Sequence, residues 1–362
     1  MFQSLTRRVL EPQAFGLDIS DLTVKFVRIR RRGDRAAIEY FGEVEIPAGL
    51  VVGGEIQKEE ELARVLRSSL RLAGGRRVLE RYVVASLPEE KSFVHLLDLP
   101  PMKAEDVGKA VRWEVEGVVP LAPSEIVYDY ELTPRLPSAT DHRDVLLTAF
   151  PKQIVESYRR VLEGAGLITR ALELESQAIS RALISGPGSQ APVIIADLGA
   201  TRTSFIVFAG GSMLFTKSVP VGGHDFEAAI AHALGITPAE AVKVKIEVGL
   251  KKTVRQGKVF LALEPHLSSL AAELGAIVQF YREHPMKQHA ALGDIERVVL
   301  CGGDANLIGI EKYLAVAVKK RAVLGDPFVN LAAFPGALPA IPKNEALKYT
   351  TAIGLALRAA GL

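Results

Sequence analysis

The sequence predicts an α/β protein of two related domains that face one another across a cleft, each beginning with a hairpin that carries an acid at its turn. The first observation behind this is the stretch Pro192–Gly223. Val193, Ile194 and Ile195 lead into Asp197-Leu198-Gly199-Ala200-Thr201-Arg202-Thr203, and a second apolar run follows from Phe205 to Phe208. Short apolar runs punctuated by glycine read as buried strands joined by a tight turn. Such a turn presents backbone N–H groups that can hold phosphate oxygens, and Asp197 would then face a bound metal. The second observation is that the unit recurs. Gly16-Leu17-Asp18-Ile19-Ser20-Asp21-Leu22-Thr23-Val24-Lys25-Phe26-Val27 is again an apolar lead-in, an acid, a turn of small or polar residues and a strand. A duplicated unit about half a chain apart predicts two facing domains, with Asp18 and Asp197 meeting across one cleft.

In chain order, Phe2, Leu5 and Val9 share one helical face, read as a short helix packed on its own domain in preference to a weak membrane-surface or partner contact. Strands are expected over Phe15–Ile19, Leu22–Arg30 and Ala36–Ile46, with Arg30–Arg35 as a solvated hairpin tip. Leu62, Val65, Leu66 and Leu70 give Glu59–Leu72 a helical spacing that Gly74-Gly75 ends, and Tyr82–Leu87 is a buried strand. The pattern then changes between Lys91 and Phe150: a strand over Phe93–Leu97, a helix over Lys103–Gly117 and strands over Ile126–Leu132 and Val145–Phe150 make a small α+β insertion. Trp113 is expected to anchor its core, with partner binding left open, and the polar loop Pro134–Arg143 to be mobile. Helices are expected over Gln153–Gly164 and Glu175–Ile184, then a linker through Ser185–Ser189. In the second half they are expected over Asp225–Leu234, Pro238–Glu247, a long stretch through Leu267 and Tyr281, Leu307–Lys320 and Lys348–Ala360, with a strand over Glu296–Cys301. The domain boundaries expected are 1–90 and 151–190 for the first domain, 91–150 for the insertion, 191–345 for the second domain and 346–362 for a closing helix.

The bulk composition excludes several functions. At 362 residues and 48% hydrophobic the chain can bury a large core in two or more domains. The 44 basic and 42 acidic residues nearly balance, which argues against a dedicated nucleic-acid binder. A single cysteine, Cys301, forms no intramolecular disulfide and suits a reducing compartment. No apolar run is long enough to span a membrane, and MFQSLTRRVL lacks the apolar segment of a signal peptide, so a cytoplasmic location is expected. GxxxxGK, HExxH and cysteine-pair motifs are absent.

Three motifs in order carry a resemblance: the two acid-bearing turns, and Val298-Val299-Leu300-Cys301-Gly302-Gly303-Asp304-Ala305-Asn306-Leu307. Together they resemble the phosphate-1, phosphate-2 and adenosine motifs of the actin and sugar-kinase superfamily. The opening Met-Phe-Gln-Ser-Leu, the run Ala110-Val111-Arg112-Trp113-Glu114 and the run Ala239-Glu240-Ala241-Val242-Lys243 narrow this further. They resemble the PilM family, the actin-like component of the type IV pilus inner-membrane platform. The resemblance implies an actin-like fold of two ribonuclease-H-type domains with ATP between them. By this analogy the backbone N–H groups of Ser20, Gly199 and Ala200 and the Thr201 and Thr203 hydroxyls would hold phosphates. Lys25 would contact phosphate, Asp18 and Asp197 would hold Mg²⁺ through its waters, and Gly302 and Gly303 would let the backbone approach adenine and ribose. Ser20 stands where the superfamily commonly has a second glycine. Glu175 and Glu173 are candidates to orient an attacking water, or acids that simply complement a helix dipole. Only these acids are on offer for hydrolysis, so slow or no turnover is expected.

The resemblance also implies a partner: the short cytoplasmic tail of a PilN-like inner-membrane protein, with the membrane reached only indirectly, no nucleic acid, and self-association left open. A sheet edge or groove on the insertion suits an extended peptide. Two readings compete with this scaffold. One is an FtsA-like cell-division actin homologue, which carries a membrane helix on a C-terminal tail, whereas here Gly361-Leu362 follows the hinge helix. The other is a small-molecule kinase with an acid as general base, in which the Ala110–Glu114 run would have no role.

Overall fold

The computed structural model describes residues 13–33, 35–71, 75, 77–134, 142–186, 191–283, 292–331 and 340–362. The expected N-terminal helix, the loop 135–141 and most of the linker at 187–190 lie outside the described residues.

Two five-stranded sheets organise the chain. In the first, β1 (Ala14–Ile19), β2 (Thr23–Arg32) and β3 (Arg35–Glu45) form an antiparallel meander. A two-residue hairpin, β4 (Val51–Val52) with β5 (Glu55–Ile56), precedes α1 (Glu59–Ser69) and β6 (Tyr82–Leu87), which runs parallel to β1. The insertion follows as β7 (Phe93–Leu99), α2 (Ala104–Val118), β8 (Ile126–Leu132) and β9 (Arg143–Pro151). The chain returns through α3 (Lys152–Gly164) and β10 (Ile168–Leu174) to α4 (Glu175–Leu183). The second sheet repeats the plan with β11 (Val193–Leu198), β12 (Thr203–Ala209) and β13 (Ser212–Val219). The helices α5 (Gly223–Leu234), α6 (Pro238–Val248) and α7 (Lys258–Glu283) lead to β14 (Arg297–Cys301), α8 (Ile310–Val318) and β15 (Arg321–Leu324), and α9 (Lys343–Ala346) and α10 (Thr350–Ala359) close the chain.

The strand orders β10-β6-β1-β2-β3 and β15-β14-β11-β12-β13 are equivalent position by position, so β1 and β11 are counterparts. Both are central and apolar on both faces, because helices cover each side of a mixed sheet. Their register is alike: Asp18 lies opposite Lys25, and Asp197 opposite Ser204. Each acid therefore stands near the end of a buried strand.

The closing helix α10 is placed by glycines. A Cβ on Gly354 of α10 would lie 1.8 Å from the Ala178 carbonyl oxygen of α4, and one on Gly16 of β1 would lie 2.5 Å from the Ala352 oxygen. Only bare backbone permits these approaches, and α10 is consequently buried on nearly every side. The insertion has its own three-stranded sheet, order β7-β9-β8, and its own core around Leu97, Val111, Val115 and Leu147.

Some sequence expectations change here. Trp113 is 76% exposed, because α2 buries the stripe Val107, Val111 and Val115, and a residue two positions from the last two points away. The Arg30–Arg35 tip is not simply solvated: Arg30 pairs with Glu39 at 3.2 Å and Arg31 donates to the Gly361 carbonyl at 2.8 Å. The helix expected over Leu307–Lys320 is shorter, running as α8 from Ile310 after Gly309 at φ 91°, and a 3₁₀ turn over Gly303–Asn306 precedes it. A further 3₁₀ turn, Leu347–Tyr349, precedes α10 where continuous helix was expected. The pairs β4–β5 and the strand β15 were not anticipated, being too short for an apolar pattern.

Candidate functional site

A cleft of about 550 Å³ lies between the two sheets, lined by Asp18, Glu175, Asp197, Ala200, Arg202 and Gly302 among others. It is reached by the turn after β1 and the turn after β11. Ser20, Lys25, Gly199, Thr201 and Gly303 also line it. The structure therefore brings most of the proposed ligands to one place.

Three of them do not act as expected. The Ser20 N–H donates to the Thr23 carbonyl at 2.9 Å, and the Gly199 N–H to the Arg202 carbonyl at 2.9 Å, because each turn closes with its own hydrogen bond. Ala200 keeps its N–H free of protein acceptors among the described residues. Thr203 is fully buried and its hydroxyl donates to the Val221 carbonyl at 2.8 Å, away from the cleft. Glu173 is also elsewhere: it is buried against Arg181 and Arg358, so of these two glutamates only Glu175 lines the cleft.

The acids crowd one another. Burial, with Glu175 and then Asp18 adding repulsion, pushes the Asp197 carboxyl up to about 7. Burial and Glu175 push Asp18 up to about 6 against the opposing pull of Lys25 and of the Ser86 hydroxyl, which donates to it at 3.0 Å. Such a pair is a site short of positive charge, the condition a divalent cation relieves. Among the described residues no three metal-ligating side chains converge tightly enough to hold an ion unaided. The donor set thus fits a hard cation that keeps waters and takes further oxygens from a ligand. Gly302 fits a close approach: at φ +85° it sits 2.5 Å, by its virtual Cβ, from the Asp197 Oδ1 atom, so no side chain is tolerated there.

Residues not singled out from the sequence complete the site. Asp21 accepts from the Thr201 hydroxyl at 3.2 Å across the cleft and from the Gly54 N–H at 2.9 Å. Arg202 grips both oxygens of Glu175, at 3.0 and 2.9 Å, and approaches Glu90 at 3.0 Å. Burial alone would lower the Arg202 guanidinium, but Glu175 and Glu90 more than offset it and hold the cation firmly charged. Lys348 bridges to Glu43 at 2.8 Å along the rim. Asp21 lies inside the first motif and was within reach of sequence reading, whereas the partners of Arg202 are distant in the chain.

Comparison with known proteins adds a family. Residues 16–360 match the family model described as type IV pilus assembly protein PilM. The chain belongs to the PilM family. Among solved structures, a PilM-PilN type IV pilus biogenesis complex superposes with a TM-score of 0.79 at 24% identity, covering 96% of this chain and 98% of that one. The ethanolamine utilization protein EutJ from Carboxydothermus hydrogenoformans follows at 0.57 and 15%, covering 97% and 91%. MreB 5 of Spiroplasma citri bound to AMPPNP gives 0.55 and 13%, covering 95% and 94%. At these identities the likeness is one of fold, and it makes the PilM-family chain actin-like. The cell division protein FtsA of Helicobacter pylori is 26% identical over 98 residues, 27% of this chain and 20% of that protein. FtsA of Bacillus subtilis is 29% identical over 98 residues, 27% and 22%. The match thus spans only about a fifth of the FtsA proteins. Among the described residues no helix of the PilM-family chain is long and apolar enough to cross a membrane.

Proposed function

We propose that this chain is an ATP-binding scaffold of the type IV pilus assembly machinery, acting at the cytoplasmic face of the inner membrane and capturing the cytoplasmic tail of a PilN-like membrane protein. The observation that carries the nucleotide half is the pair Asp18 and Asp197, on equivalent strands and facing one cleft with raised proton affinity. Asp18 and Asp197 would hold Mg²⁺ through its waters, while the Ala200 N–H, the Thr201 hydroxyl and Lys25 would meet phosphate oxygens, and Gly302 and Gly303 the nucleoside. The bound ion supplies charge neutralisation at the phosphates.

The same geometry argues for at most slow hydrolysis. Glu175 is the acid placed to orient a water, and both of its oxygens are engaged by Arg202. The tail would lie in a groove of about 620 Å³ between β8 and β10, lined by Tyr128, Tyr130, Leu146, Leu172 and Gln177. Both strands are edges of their sheets, so their free backbone groups can add an extended peptide. On this reading 91–150 is the partner-facing insertion, 1–90 with 151–190 and 191–345 are the two nucleotide-facing domains, and 346–362 is the hinge.

Calorimetry with Mg-ATP on the wild type and on Asp197→Ala, with phosphate release followed in the same samples, tests the nucleotide half. Binding that depends on Asp197 with little phosphate release supports it; equal binding by both proteins removes the metal assignment. A peptide from the PilN-like tail should raise the melting temperature by linkage of binding to unfolding, and no shift at saturation counts against the partner half.

A further inference from the structure

Arg202 belongs to the second domain, yet its guanidinium is committed to the first. Besides Glu175 at the start of α4, it lies 3.0 Å from Glu90. Glu90 has buried oxygens that make no hydrogen bond in good geometry, so this ion pair is what compensates its charge. Glu90 sits in the 3₁₀ turn Glu89–Lys91, where the chain leaves β6 for the insertion. The rest of that turn is anchored too: a Glu89 oxygen accepts from the Ser176 N–H at 3.2 Å, and Lys91 pairs with Glu55 at 3.2 Å. Leu87, three residues before Glu90, lines the groove between β8 and β10. One side chain thus connects the turn after β11 to the root of the insertion.

We propose that Arg202 is a phosphate-responsive clamp, holding the root of the insertion through its Nη1 on Glu90 until a triphosphate in the cleft competes for that nitrogen, while Nη2 stays on Glu175. The proposal rests on the nucleotide reading above and extends it to the regulation of the insertion. Guanidinium prefers the dense, planar-addressable charge of a phosphate over a single carboxylate. A buried carboxylate that loses the cation paired with it is destabilised where it stands, so the turn carrying Glu90 loosens. A diphosphate, lacking the terminal group, leaves the clamp in place. The two nucleotides therefore differ in what they offer Arg202, which is the differential interaction any population shift requires.

The test is amide hydrogen exchange over residues 89–99 of the full chain, without nucleotide, with Mg-ADP and with Mg-AMPPNP, in wild type and Glu90→Gln, with calorimetry on the same samples. Glutamine keeps the volume and removes the charge, so the variant folds even where Arg202→Ala would leave two buried acids unpaired; Arg202→Lys serves as a second variant that keeps the charge but not the bidentate grip. Mg-AMPPNP should speed exchange at 89–99 in the wild type by about five-fold or more, with Mg-ADP near the unliganded rate. Glu90→Gln and Arg202→Lys should exchange fast without nucleotide and respond no further. Heat of binding with unchanged exchange, or a wild-type response that survives in Glu90→Gln, overturns the clamp. Absence of binding heat for either nucleotide overturns the nucleotide reading instead, and the two failures are told apart by the calorimetry.

Discussion

Replacing Asp197 by asparagine should stabilise the metal-free protein at alkaline pH while weakening Mg-nucleotide binding. The carboxyl is pushed from 3.8 to about 7 by burial and by Glu175 and Asp18, so its ionised form is disfavoured in the folded chain. A shift of that size corresponds to at most about 4 kcal/mol at 1.36 kcal/mol per unit. Asp197 is only partly buried and shares its repulsion with two other acids, which reduces the expectation to about 2 kcal/mol. The sign follows from proton counting. Between pH 4 and 7 the folded state holds this proton longer than the unfolded state, so stability falls as pH rises through that window and levels off above it. Urea unfolding in chelator should therefore show wild type and Asp197→Asn alike at pH 4, with the variant ahead by about 2 kcal/mol at pH 8. A variant less stable than wild type at pH 8 without metal would refute the reasoning. A gain in stability with a loss of ligand is the signature of a residue kept for binding.

Gly354→Ala should cost about 1–3 kcal/mol in thermal unfolding, although alanine ordinarily favours a helix, because its methyl would meet the Ala178 carbonyl oxygen at 1.8 Å. A neutral or stabilising result would mean that α4 and α10 separate easily. Trp113→Ala should change stability by less than about 0.5 kcal/mol, since the ring is 76% exposed; a loss of several kcal/mol would return it to the core of the insertion. Leu147→Ala, in the buried core of the insertion, should cost about 2–5 kcal/mol, and a result near zero would deny that this core is close-packed. Thr201→Val removes the hydroxyl that reaches Asp21 across the cleft and should cost about 0.5–1.5 kcal/mol by urea titration, a null result meaning that the contact contributes nothing to closure.

The duplicated plan and the place of the two acids can be read along the chain. Asp18 and Asp197 each end a short run of apolar residues next to a glycine- or serine-containing turn, and a buried strand followed by a tight turn is a local pattern that neighbours in the chain dictate. The stripe Val107, Val111 and Val115 is equally legible as a helix face, and its period already excludes Trp113 from that face, whatever the size of the ring. Which donors face the cleft depends on contacts between elements far apart in the chain. Ser20 and Gly199 close their own turns, and Thr203 points at Val221, because a hydrogen bond is claimed by the nearest acceptor in space. The grip of Arg202 on Glu175 and Glu90, and the bond from Thr201 to Asp21, join residues separated by 27 to 180 positions, or by a whole domain. Charge pairing acts through distance in space, and no pattern along the chain records it until the two sheets stand face to face.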